Sequence, residues 1–191
     1  SPTVAAAGTD QTGGSAVCGT STTLAGNAAT VGTGQWTEIV GDGNGGFVDD
    51  SDEGTVFTGT AGQTYTLRWT ISNGSCTPTT SDVDIQFDAT PTTAAAGPDQ
   101  QVCATSATLA GNTATVGSGL WSIQSGAGGS FTLNTDPTTT FSGTAGTTYV
   151  LRWTISNGVC SDSFDEVTIQ LDDSPTVAAA GTDQTGGSAV C

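Results

Sequence analysis

The chain has 191 residues, with 18 Asp and Glu against two Arg, no Lys and no His, for a net charge of −16. Clustered cations, which nucleic acid and anionic membrane surfaces require, are missing, and so are the His and Lys that serve most acid–base and nucleophilic catalysis; no enzyme and no nucleic-acid partner are expected. Nor does any apolar run approach the roughly 20 residues of a membrane-spanning helix, so no membrane insertion of this segment is expected.

Residues 1–18 return without a change as residues 174–191, and a diverged copy lies between them, opening at Pro91 as the others open at Pro2 and Pro175. Self-similarity of this kind sets the unit before any fold is considered. Three stretches follow: a module over 1–89, a second over 90–173, and 174–191 as the first strand of a third. Asp10 to Cys18 spans four residues more than Asp99 to Cys103, so the two modules differ by an insertion in their opening segment.

Apolar residues alternate throughout instead of recurring at three and four, which predicts strands and no helix. In chain order, Leu24 and Leu109 belong to short Thr-rich strands. Trp36 and Trp121 follow, each 18 residues past a cysteine, and then an acidic loop over 41–53 whose counterpart in the second module keeps Asp136. Phe57 and Phe141 precede a Gly-Thr-Ala-Gly turn, and the Gly-x-Thr-Tyr sequences ending at Tyr65 and Tyr149 suit a tyrosine corner. The strand from Tyr65 to Ile71, repeated from Tyr149 to Ile155, places Tyr, Leu, Trp and Ile on one face. Asn73-Gly74 and Asn157-Gly158 predict tight hairpin turns. Asn73-Gly74-Ser75 also fits a glycosylation acceptor, whereas Asn157-Gly158-Val159 does not, and the turn accounts for both. Returning strands run from Asp82 to Asp88 and from Glu166 to Asp172 with an acidic outer face. The count is about seven strands per module, which predicts tandem all-β, immunoglobulin-like antiparallel sandwiches.

Cysteine spacing repeats with the modules. Cys18 and Cys76 are 58 apart, Cys103 and Cys160 are 57 apart, and Cys191 repeats Cys18. With no Cys-x-x-Cys and no His, disulfides are expected over a metal site, and with them an oxidising, extracellular setting. The expected bridges lie within each module, tying the end of the first strand to the start of the last, while Cys191 awaits a partner outside the chain or in a neighbouring copy.

Ala-Gly-Thr-Asp-Gln at 7–11, Ala-Gly-Pro-Asp-Gln at 96–100, the cysteine after each, Thr-Leu-Ala-Gly, Thr-Tyr-x-Leu-Arg-Trp-Thr-Ile and Asn-Gly-x-Cys together resemble the PKD-like immunoglobulin-type repeats of very long bacterial surface proteins, including gliding-motility adhesins. The resemblance spans both modules. It implies a seven-stranded sandwich, tandem arrangement, export and attachment to the bacterial cell surface. It implies no catalytic residue and carries no ligand-binding residue to this chain.

Calcium is the one cofactor the carboxylates invite, since hard cations take several oxygen ligands. One candidate set is Asp42, Asp49, Asp50 and Asp52 in the acidic loop, where a solvated loop is the competing reading. Another is the junction, where Asp84, Asp88 and Asp99, and one module on Asp172, Asp173 and Asp183, stand near short proline-containing linkers that are stiff without an ion. Arg68 and Arg152 face outward and are expected to pair with neighbouring carboxylates, and the Trp residues read as core. The function expected is the shaft of an extracellular bacterial adhesin or filament, with neighbouring copies of the repeat as partners. The alternatives are a polysaccharide- or surface-binding module and an accessory module of a secreted hydrolase. Copies are joined either by covalent continuity or, as a second possibility, by strand exchange between chains.

Overall fold

Tyr65, Leu67, Trp69 and Ile71 are buried to 1% exposure or less, while Thr66, Arg68 and Thr70 between them are only half-buried. That period of two is what a strand packed on one face must show. A computed structural model describes residues 1–181 and is all-β, with one 3-10 turn at Gly13–Ser15 and no α-helix among the described residues.

The first half of the chain forms β1 (Val17–Cys18), β2 (Ser21–Thr23), β3 (Thr33–Val40), β4 (Gly46–Phe47), β5 (Val56–Thr58), β6 (Thr64–Ser72) and β7 (Thr79–Asp88). The second half repeats the series as β8 (Gln100–Val102), β9 (Ser106–Thr108), β10 (Ser118–Ser125), β11 (Ser130–Phe131), β12 (Thr140–Ser142), β13 (Thr147–Ser156) and β14 (Ser163–Leu171). Each half is a β-sandwich of immunoglobulin type. A four-stranded sheet, in the order β1-β7-β6-β3 or β8-β14-β13-β10, faces a three-stranded sheet, β2-β5-β4 or β9-β12-β11.

The buried residues form two clusters, one drawn from Ala5 to Phe87 and the other from Ala94 to Leu171. In each, two tryptophans on paired strands meet at the centre: Trp36 and Trp69 at 5.0 Å between ring centroids, Trp121 and Trp153 at 5.1 Å. Near one end of each core Phe57 and Phe141 set their rings edge-on to Tyr65 and Tyr149. Both tyrosines make the expected corner. Tyr65 Oη accepts from Thr60 N at 2.7 Å and Tyr149 Oη from Thr144 N at 2.8 Å, five residues upstream in both cases.

The opening strands are the exception to antiparallel pairing. β1 runs parallel to β7, with Val17 opposite Phe87 and Cys18 opposite Asp88, and β8 runs parallel to β14, with Val102 opposite Leu171. The insertion explains why the two opening segments differ. Gln11 and Gln100 occupy equivalent places beside Ile85 and Ile169, and the extra residues of the first sandwich loop out through the Gly13–Ser15 turn before β1 regains the same register.

The hairpin turns differ from the two-residue form expected. β6 ends at Ser72 and β7 begins at Thr79, and Cys76 N donates to Asn73 O within the connection. Of each Asn-Gly pair only the glycine has positive φ, 55° at Gly74 and 56° at Gly158, whereas a two-residue Asn-Gly turn needs it at both positions. The proposed opening strand of a third module, 174–191, lies outside the described residues from 182 onward, Cys191 and Asp183 included.

Candidate functional site

The strongest candidate site is the junction between the sandwiches. Asp88 ends β7, and only the three residues Ala89, Thr90 and Pro91 separate it from Thr92, whose N–H already bonds Val116 O in the second sandwich. Opposite this linker stands the turn that joins β13 to β14. Asn157 Nδ2 donates to Ala89 O at 2.6 Å, Val159 N donates to an Asp88 carboxylate oxygen at 2.8 Å, and the other Asp88 oxygen accepts from Gln86 Nε2 at 2.8 Å. Asp88 O accepts Gly19 N at 3.0 Å. Asp88 is 8% exposed, so both its carboxylate oxygens and its carbonyl are satisfied where leaving them unpaired would be costly.

A disulfide closes the junction. Cys18, at the end of β1, bonds Cys160, at the end of the β13–β14 turn, with 4.9 Å between Cα atoms and 142 residues between them in sequence. This corrects the expected pairing within modules: Cys76 and Cys103 are free and exposed. The reason is the parallel register of the opening strand. Cys18 sits beside the last residue of β7, whereas Cys76 precedes the first, and ten strand residues at about 3.3 Å each hold the two ends roughly 30 Å apart. A disulfide needs Cα atoms within about 7 Å. Cys103 and Cys160 are separated by β14 in the same way.

The calcium candidates are not brought together. Among the described residues no three of His, Cys, Asp and Glu form a group that could hold a metal ion. Asp42, Asp49, Asp50, Asp52, Asp84, Asp88, Asp99 and Asp172 are engaged locally instead. Asp42 accepts from Tyr65 Oη at 2.7 Å and from Asn44 N at 3.0 Å. Asp49 takes Ser51 N and Oγ, Asp50 takes Gln35 Nε2, and Asp52 takes Gly54 N. Asp99 accepts Thr168 N at 2.7 Å, as Asp10 accepts Asp84 N, so in both modules an equivalent aspartate ties the opening segment to the last strand. Hydrogen bonds from Thr60, Tyr65 and Asn44 hold the Asp42 carboxyl far below the usual carboxylate range, and those from Ser51 lower Asp49.

On the outer face Arg68 forms a forked pair with Asp82 at 2.7 and 2.9 Å, which raises the guanidinium and lowers the carboxyl pKa. Arg152 binds Glu166 at 2.6 Å and lies 4.2 Å over the Phe164 ring. All four Trp side chains are 1% exposed, so none offers a stacking surface to a sugar.

No family model matches the sequence, and no curated protein shows significant similarity to it. Solved structures do. The insect immune protein hemolin superposes with a TM-score of 0.53 at 13% identity, over 90% of this chain and 47% of hemolin. Immunoglobulin domains 1–5 of Sidekick-1 give 0.52 at 12% identity, over 89% of this chain and 38% of theirs. A solution structure of the PKD domain of the KIAA 1837 protein is 24% identical over 44% of this chain and 92% of that domain, with a TM-score of 0.37. This chain thus spans half or less of the multidomain proteins it resembles, and it shares with them the fold of tandem immunoglobulin-like sandwiches.

Proposed function

We propose that this chain is a stretch of the shaft of an extracellular bacterial surface adhesin or filament, built of modules 1–89 and 90–173 in alternation and running on into a third at 174. The observation that carries this reading is the junction. A three-residue linker, a buried carboxylate and a disulfide between sandwiches fix neighbouring modules to each other, which a load-bearing spacer needs and a pair of independent binding modules does not. The exact return of the opening 18 residues supports continuation of the same unit, and the disulfide supports an oxidising, extracellular setting. A charge of −16 favours extension through self-repulsion.

The partners are neighbouring copies of the repeat, joined by covalent continuity of the chain. The reading of the exposed faces as a polysaccharide platform has less support, since the tryptophans are core. Immunogold labelling of intact cells that carry the gene, with antibody raised against the two-module protein, tests the proposal. Label strung along projections outside the envelope is expected; label confined to the cytoplasm or to a soluble secreted monomer would overturn it.

A further inference from the structure

The Cys18–Cys160 bond uses one cysteine from the opening strand of the first sandwich and one from the late turn of the second, so each sandwich has a second cysteine left over. Cys76 occupies in the first sandwich the place of Cys160 in the second, and Cys103 occupies in the second the place of Cys18 in the first. From these equivalences we infer that Cys103 and Cys76 are the two halves of a second inter-module disulfide. Cys103 of one repeat bonds Cys76 of the following repeat, so that every junction of the array is bridged. This deepens the shaft reading and rests on it for the presence of successive repeats.

The open end of the second sandwich matches the completed junction in strand register and in the glutamine that holds its aspartate. Val102 pairs with Leu171 as Val17 pairs with Phe87, which puts Cys103 beside Asp172 as Cys18 is beside Asp88. Cys103 Sγ lies 3.8 Å from Asp173 O, at the start of the linker that follows Asp172. Gln170 Nε2 holds one Asp172 oxygen at 2.7 Å as Gln86 holds Asp88. The second Asp172 oxygen, whose counterpart on Asp88 receives Val159 N, here takes Gln101 Nε2 at 2.8 Å.

At the other end the Asn73–Cys76 turn has the geometry of Asn157–Cys160: Cys76 N donates to Asn73 O at 3.1 Å and Cys160 N to Asn157 O at 3.2 Å, with the following glycine at the same positive φ. Asn73 is therefore set to donate to the carbonyl after Asp172, and Ser75 N to the Asp172 carboxylate. The linker length agrees as well, since Pro175 follows Asp172 by the same three residues by which Pro91 follows Asp88. Both thiols are exposed at their ends of the pair of sandwiches.

Chemically, the two thiols each lose a proton and together give two electrons to a small-molecule disulfide oxidant. That oxidant leaves as two thiols, and the Cys103–Cys76 bond remains.

The test is a chain in which residues 19–191 follow Cys191, so that the repeat continues in register. It is folded with glutathione and glutathione disulfide, alkylated, and digested unreduced for mass spectrometry. The expected result is a cross-linked peptide joining Cys103 to the Cys76 that follows it, beside the Cys18–Cys160 peptide and its repeat from Cys191 to the second Cys160, with the first Cys76, the last Cys103 and the terminal cysteine alkylated. Alkylation of Cys103 and the following Cys76, or their bonding to any other cysteine, overturns the inference, and so does failure of Cys18–Cys160 to form. Asp172→Ala is expected to slow closure of the Cys103 bond roughly tenfold, by removing a charge-assisted contact of the docked turn, while the rate at Cys18–Cys160 stays unchanged; equal rates at both bonds in this variant would also overturn it. None of these outcomes depends on where cells place the protein, so failure here is distinct from failure of the surface labelling.

Discussion

Val159 N donates to the Asp88 carboxylate at 2.8 Å, and the residue before it, Gly158, lies so close to that carboxylate that a side chain there has no room. Gly158 also has φ of 56°, where an L-residue is strained by about 1 kcal/mol. Gly74 shares the conformation, with φ of 55°, but has nothing within 4 Å of a Cβ built on it. Gly74→Ala is therefore expected to destabilise the first sandwich by about 1 kcal/mol and to leave the Cys18–Cys160 bond as it is. Gly158→Ala carries the same strain and also pushes the turn away from Asp88, so the bond should be reduced at a lower ratio of glutathione to its disulfide. A redox titration of both variants that gave equal midpoints would contradict this account of the junction.

Much of this was legible from residue pattern alone, and the part that was not has a definite cause. The strands Thr64–Ser72 and Thr147–Ser156 could be read because a half-buried strand writes its burial into every second residue. The tyrosine corners followed from the turn before them. The disulfide pairing could not be read the same way, because spacing gives distance along the chain and says nothing of which end of a sheet a residue reaches. Gln11, Val17 and Gln100 pair in parallel with the last strand through only one to three residues, too few to show a period. A signal did exist in the inverted roles: Cys18 and Cys103 each lie after the opening segment, Cys76 and Cys160 each before the last strand, and only a head-to-tail rule pairs them without crossing a sheet.

Reduction of the bridge should change how far the protein can be drawn out. With Cys18 and Cys160 bonded, tension applied between the chain ends passes through the disulfide and bypasses the 142-residue loop that it closes. At about 3.4 Å per residue, reduction releases roughly 480 Å of extra contour length. Single-molecule pulling is expected to show no full-length sandwich unfolding event in the oxidised protein and two in the reduced protein. Two events under oxidising conditions would show that the bond does not carry the load. Thermal unfolding of the oxidised protein should likewise be more cooperative between the sandwiches than that of Cys18→Ser.

Acid should weaken the first sandwich before the second. Asp42, Asp49 and Asp82 all have lowered carboxyl pKa values, through hydrogen bonds from Thr60, Ser51 and Arg68 respectively, together with Tyr65 and Asn44 at Asp42. A carboxyl whose folded pKa is depressed binds fewer protons in the native state than in the unfolded one. Its contribution is complete above the ordinary value near 4 and is lost as pH falls through the depressed value. In the second sandwich the tyrosine of the corner donates to an uncharged acceptor, the Ala127 carbonyl, at 2.9 Å. Hydrogen exchange followed by mass spectrometry between pH 5 and pH 2 should show residues 20–88 losing protection ahead of residues 105–171. Tyr65→Phe should reduce that difference, and Tyr149→Phe should leave it in place.

The paired tryptophans allow one comparison within a single protein. Trp36 and Trp121 are both 1% exposed and pack on Trp69 and Trp153 at nearly the same distance, so truncation to Phe opens similar space in each core. Their indole N–H groups differ. Trp121 Nε1 donates to Pro137 O at 3.3 Å, whereas Trp36 Nε1 is buried without a partner among the described residues. Replacing Trp121 forfeits a hydrogen bond, although Pro137 O keeps Gly111 N at 2.9 Å and is not itself orphaned. It also loses a stacked contact with Phe131 at 6.4 Å. Replacing Trp36 removes an unsatisfied donor whose burial costs about 1–3 kcal/mol, which offsets part of the cavity. Trp36→Phe should therefore destabilise its sandwich by at least about 1 kcal/mol less than Trp121→Phe destabilises the other. Urea unfolding with exchange read separately in each sandwich decides it, and an equal or larger loss at Trp36 would show that its indole nitrogen is paired in solution.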